Sequence, residues 1–178
     1  MTQLNLFDDL SSEKNKKMSV LHEDFRSTLH YSKLVIGYGN VNSRTMIIGE
    51  SCVKQHYENP KSSKCFCFDL NDSEPGIRSG GILIKIFKDL HLKIADYYWT
   101  NVFKIPVESI KTDSERCEHI GLLLKEIKII NPVKIIVMGT KAREALEGVL
   151  VSKDYIVKHI FHPAYYVRNP TLYYKYLN

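Results

Sequence analysis

The stretch Tyr155-Ile156-Val157-Lys158-His159-Ile160-Phe161-His162-Pro163-Ala164-Tyr165-Tyr166-Val167-Arg168 decides how this chain is read. Residues 155–161 form an apolar run with the character of a buried strand. The His-Pro that follows ends the run. Proline at a first helical position forfeits no helical hydrogen bond, so a helix can start there. The imidazole of His162 is thereby placed at the C-terminal end of a strand, the edge of an open α/β sheet where ligands bind. Tyr165, Tyr166 and Arg168 come next, with side chains suited to stacking and phosphate contact. The same text would also describe a plain strand-to-helix turn with a satisfied histidine.

Three further segments repeat the pattern of an apolar strand with a polar exit. Thr45-Met46-Ile47-Ile48-Gly49-Glu50-Ser51 ends in Gly-Glu, Asp96–Lys104 is aromatic with Asn101 near its exit, and Lys134–Thr140 ends in Gly-Thr. Between them the text reads as helices. Val20, Leu21, Phe25 and Leu29 share one side of a helix from Ser19 to Tyr31. Ser79 can cap a helix through Leu90, with Ile82, Leu83, Ile86, Phe87 and Leu90 on one face. Asp113 or Ser114 starts another, ended by Asn131-Pro132, and Thr140 caps a third from Lys141 to Glu147. Thr171–Leu177 reads as a last helix, and Gly37 and Gly39 break the chain before the first strand. Alternating strands and helices pair in parallel through right-handed crossovers. The expected fold is α/β: a three-layer α/β/α sandwich with a short, mainly parallel central sheet. Glu50, Asn101 and His162 then stand at C-terminal strand ends facing one crevice.

At this point the chain resembles the uracil-DNA glycosylase superfamily, and within it the branch usually called family 4, whose members often carry an iron–sulfur cluster. The matching text runs in order: Val35-Ile36-Gly37-Tyr38-Gly39-Asn40, Ile47-Ile48-Gly49-Glu50, Arg78-Ser79-Gly80-Gly81-Ile82-Leu83, Thr100-Asn101-Val102-Phe103-Lys104, Ile130-Asn131-Pro132 with Val137-Met138-Gly139, and His162-Pro163. The resemblance covers roughly Ser19 to Tyr166. It implies a monofunctional DNA glycosylase that hydrolyses the N-glycosidic bond of uracil or a related damaged or modified base, acting in base excision repair.

That chemistry passes through a cationic sugar and an anionic leaving base, after the nucleotide is flipped from the duplex. Charge developing on the base oxygen must be stabilised, and His162 fits as a neutral donor. Asn101 fits base reading, since a carboxamide donates and accepts together. Gly49 offers backbone N–H at the turn, while Glu50 and Ser51 are placed to organise water or sugar. Phe66 and Phe68 are the candidate stacking aromatics of a long loop covering residues 51–78. Arg78 and Ser79, with Tyr165, Tyr166 and Arg168, are the expected DNA contacts. Each has a plainer alternative: Asn101 closing a strand, Glu50 capping a helix, the phenylalanines in the core, the tyrosines on an amphipathic helix.

The departures from the family pattern matter as much. Relatives usually follow Gly-Glu with Ala-Pro-Gly, where this chain has Ser51-Cys52-Val53. The phenylalanine expected before Arg78 is replaced by Glu74-Pro75-Gly76-Ile77. A rebuilt pocket floor leaves open a bulkier modified pyrimidine, such as those of phage DNA, or a non-catalytic DNA- or clamp-binding protein on a glycosylase scaffold. Of the four cysteine positions of cluster-bearing relatives, only Cys117 is kept. The stretch Ser19–Lys33 has no cysteine and Ile105 takes the third place. One thiolate cannot hold a cluster that takes four, so no cofactor is expected. Cys52, His56, Cys65 and Cys67 form a C-x3-H-x8-C-x-C set of zinc-type ligands, but not at a standard finger spacing; unliganded thiols are the favoured reading.

The chain has 178 residues, 44% of them hydrophobic, which suits one globular domain with a real core. Its net charge of +5 is compatible with nucleic acid without demanding it. No apolar run spans a membrane and no signal peptide is legible, so a cytoplasmic, nucleoid-associated monomer is expected. Residues 1–17 read as a flexible tail preceding a glycosylase-like domain at 18–178. Within the tail, Gln3-Leu4-Asn5-Leu6-Phe7 resembles the peptide by which bacterial repair proteins dock on the DNA polymerase sliding clamp. Leu4, Leu6 and Phe7 would fill an apolar pocket, with Gln3 bonding at its rim.

Overall fold

The computed structural model describes residues 3–52, 54–58, 78–151 and 153–166. Phe66, Phe68, Cys65, Cys67, Arg168 and the helix expected at Thr171–Leu177 lie outside these, as do the side chains of Gln3, Leu4, Leu6, Phe7, His56, Arg78, Ser79 and Tyr166.

The strands are β1 (Tyr38–Gly39), β2 (Thr45–Gly49), β3 (Tyr98–Asn101), β4 (Lys134–Met138) and β5 (Ile156–Ile160). They form one sheet in the order β1-β3-β2-β4-β5. The last four run parallel, and β1 pairs antiparallel on the edge. The helices are α1 (Gln3–Thr28), α2 (Lys54–Glu58), α3 (Arg78–Asp89), α4 (Asp113–Ile130), α5 (Thr140–Ala145) and α6 (Pro163–Tyr166).

Side chains alternate across a strand, and this alternation divides the core in two. Met46, Ile48, Tyr98, Ile135 and Val137 face one way and meet Leu123, Ile127 and Ile130 of α4, Met18 of α1 and Ala142 of α5. Ile47, Trp99, Ile136 and Met138 face the other way and meet Leu83 and Phe87 of α3. Strands buried on both faces read as unbroken apolar runs, which is why these were recognisable in the sequence. The three-layer α/β/α arrangement follows directly.

Helix α4 has the sharpest boundaries. Thr112 accepts from the Glu115 amide while Glu115 returns the bond to the Thr112 amide, a capping box. At its far end Asn131 takes the left-handed conformation (φ 54°) and Pro132 follows, as the Asn-Pro pair predicts. Lys14 of α1 reaches this end too, donating to the Ile130 carbonyl at 2.8 Å and the Val41 carbonyl at 3.3 Å.

Four local readings need revision. The first helix begins at Gln3 rather than Ser19 and takes in most of the segment read as a tail; Ser11 accepts from the Asn42 amide. Its inward face is Met18, Leu21, His22 and Phe25, whereas Val20 is exposed, because packing on α4 sets the face. Thr140 does not cap α5: the N-cap is Gly139, with φ 92° and no side-chain bond. Tyr38-Gly39 is itself a strand, and a Cβ on Gly39 would meet the Tyr97 carbonyl at 2.2 Å, so only glycine fits this approach.

Candidate nucleobase site

The parallel strands end together on one edge of the sheet. Asn101 closes β3 directly opposite Gly49 of β2, and the two strands stay joined just beyond, where Val102 N donates to Gly49 O at 2.8 Å and Phe103 N to Glu50 O at 2.9 Å. Thr100 points toward α4, so alternation turns the Asn101 side chain to the α3 face. That side chain is 2% exposed, and its Nδ2 has no hydrogen-bond partner among the described residues. Leaving a buried amide donor unpaired costs about 1–3 kcal/mol. Such a group is open to an acceptor that a water or a ligand can supply.

The Asn101 backbone, by contrast, is tightly held from behind. Lys104 is fully buried, and its ammonium donates to Asn101 O at 2.6 Å, Thr100 Oγ1 at 2.5 Å and Glu126 Oε2 at 2.7 Å. Glu126, on α4, also takes Thr100 Oγ1 at 2.9 Å and His22 Nε2 of α1 at 2.5 Å. Burial alone would raise the Glu126 pKa, but Lys104 and His22 outweigh it and hold the carboxyl below its usual range. Behind Lys104 lies His119, whose Nδ1 accepts from the Lys104 amide at 3.2 Å and whose Nε2 meets the Tyr31 hydroxyl at 3.3 Å. Burial, then the nearby Lys104 charge, lowers its pKa to about 4. None of Lys104, His119 and Glu126 was singled out for a role in the sequence. Their one legible signal was a set of ionisable residues inside otherwise apolar text.

Glu50 follows β2 and is half-buried. Desolvation raises its carboxyl pKa; Lys141 and Arg116 oppose the shift, while Glu108 and Glu144 add to it. Ser51 beside it is half-buried, and Cys52 is buried in the α3-side core.

His162 stands just beyond β5, in an exposed position, and its carbonyl accepts from Tyr165 N at 2.9 Å as α6 begins. The residue leans back over the end of β4: a Cβ on Gly139 would lie 3.4 Å from His162 Cβ and 3.8 Å from its Cδ2. Desolvation draws the imidazole pKa below its ordinary value. Phe161 and Tyr165 flank it as a stacked pair with centroids 4.5 Å apart, both substantially exposed. A pocket of about 140 Å³ adjoins this end, lined by Gly139, Thr140, Arg143, His159, Ile160 and Phe161.

A model of the Uracil DNA glycosylase superfamily matches residues 36–178. The chain belongs to that superfamily. It is a DNA glycosylase, a hydrolase of DNA repair. The type-4 uracil-DNA glycosylase of Thermotoga maritima is 27% identical to it, over 90% of this chain and 83% of that protein. Two of the positions compared with cluster-bearing relatives fall among the described residues. Ile105 is a buried apolar core residue, Cys117 is exposed on α4, and the described residues hold no group of three or more His, Cys, Asp or Glu able to bind a metal ion. No described helix of this glycosylase is long and apolar enough to cross a membrane.

Proposed function

We propose that this glycosylase excises uracil, or a closely related base, from DNA by hydrolysis of the N-glycosidic bond. The observation that carries the reading is the buried, unpartnered Nδ2 of Asn101 beside Gly49. A flipped uracil presents an N3–H donor next to an O4 acceptor, the complement of a carboxamide. Neighbouring strands lie about 4.8 Å apart, so the ends of β3 and β4, with β2 between them, are about 10 Å apart. A pyrimidine with a hydrogen bond at each side fills that span, Asn101 at one side and His162 at the other.

In this mechanism His162 remains neutral, in keeping with its depressed pKa, and donates an N–H to the base oxygen as negative charge builds there. Glu50 orients the attacking water or the deoxyribose, and Ser51 adds a hydroxyl at the same turn. Gly49 lets the backbone approach the base. Phe66 or Phe68 stacks on the flipped base. Tyr165 or Tyr166 fills the vacated stack, and Arg78, Ser79 and Arg168 contact phosphates. Incubation with a uracil-containing oligonucleotide followed by alkali tests the reading; intact strands at high enzyme excess would refute it.

A bulkier modified pyrimidine is the second reading, favoured by Ser51-Cys52-Val53 where relatives have a tight Ala-Pro-Gly turn. Mass spectrometry of bases released from modified DNA separates the two. Residues 3–7 would carry the enzyme to replicating DNA by docking on the sliding clamp, raising its local concentration without new contacts in the folded domain.

A further inference from the structure

We propose that Lys104 is a positioning residue for base recognition: with Glu126 it clamps the Asn101 carbonyl and thereby aims the Asn101 carboxamide at the base. The inference rests on the uracil reading above and assigns that site a part no motif named.

Three observations carry it. First, the ammonium spends its three hydrogens on three acceptors, and one of these is the main chain of the base reader itself. Second, Asn101 is the last residue of the β2–β3 register, and the peptide that follows it is held from two sides, Val102 N donating to Gly49 O at 2.8 Å and the Lys104 ammonium taking the Asn101 carbonyl. Lys104 is itself fixed at both ends of its backbone, donating to His119 Nδ1 at 3.2 Å and accepting from Val35 N at 2.7 Å. Third, stability does not explain the arrangement. A buried ion pair is often matched or bettered by well-packed apolar residues, so its use here requires another reason. Orienting the peptide that carries a carboxamide whose Nδ2 has no partner among the described residues supplies it. Thr100 completes the frame, accepting from Lys104 while donating to Glu126, and so ties the strand to α4 immediately before the reader.

Lys104 is buried behind the strand, on the face opposite the Asn101 side chain, so it acts through Asn101. The obvious test, Lys104→Met, leaves the Glu126 carboxylate buried without its cation and can unfold the protein. The paired variant Lys104→Met with Glu126→Gln leaves no lone charge and keeps a partner for His22 and Thr100. Its single-turnover excision of uracil should fall about 100-fold, the scale of a misplaced reactive geometry. Its melting temperature and its affinity for DNA carrying an abasic site, which presents no base to read, should stay at wild-type values. Added to Asn101→Ala, the same pair should cause no further loss, because both changes disable one reader. Unchanged excision by the paired variant, or a full additive loss in the Asn101→Ala background, overturns the proposal while leaving the uracil reading intact. A wild-type enzyme that releases no uracil removes that reading and the proposal with it.

Discussion

At the β3 end of the site, Asn101 is 2% exposed and its backbone is gripped by a lysine that is itself wholly buried. At the β5 end, His162 is exposed in a turn beside Gly139. The first end is preorganised by the fold, so little ordering remains when a base arrives. The second end lies at the surface rather than in the core. On the proposed reading, a buried base reader would face an exposed electrostatic donor.

The largest test of this contrast is Asn101→Asp. A carboxylate repels the base oxygen, and uracil excision should drop on the order of 1000-fold, with near-ultraviolet circular dichroism unchanged. Retained activity would mean the rigid end is not the reader. On the same end, His119 should make stability depend on pH. Its folded pKa of about 4 lies below the ordinary 6.5, so the unfolded chain takes up its proton first as the solution acidifies. The contribution is therefore full above about pH 6.5 and is lost as pH falls toward 4, a change on the order of 3 kcal/mol. Denaturant titrations at pH 7 and 4.5 measure it, and His119→Phe should flatten the difference.

At the exposed end, His162→Ala should cost about 100-fold in excision, the value of one donor to a developing oxyanion. Its melting temperature should not change, since the residue is exposed. A large fall in melting temperature would erase the distinction between the two ends. Gly139→Ala is the mildest of the set. Its backbone, at φ 92° and ψ 155°, falls in a region that disfavours every side chain by about 1–3 kcal/mol. Calorimetry should show that loss, and excision should decline only slightly, because the added Cβ meets His162 at ordinary contact distance, with no change in the uracil-to-cytosine preference expected from an Asn101 that reads N3–H and O4.

The three inner strands, β2, β3 and β4, were legible because they are buried on both faces and end in polar residues, a pattern carried within a few adjacent positions; β5, read as a buried strand, is an edge strand with Ile156 61% exposed, and its β-branched text marked it as a strand without marking its burial. For the same reason the strand-end positions of Asn101, Glu50 and His162 were visible without coordinates. The Lys104–Glu126 pair was not, because its partners are 22 residues apart and meet only once α4 has packed on β3. The start of α1 was hidden by a similar cause. Residues 11–17 are largely polar and read as tail text, yet Lys14 anchors this turn to carbonyls at Val41 and Ile130, a tertiary effect. At α5 the hydroxyl of Thr140 offered a familiar cap, but the glycine before it met a steric need that local preference does not record.

The close approach of Gly139 to His162 also constrains how this lineage can diversify. Any heritable change that gives position 139 a side chain must hold it at φ 92° and against the residue at 162, so drift at one site is felt at the other.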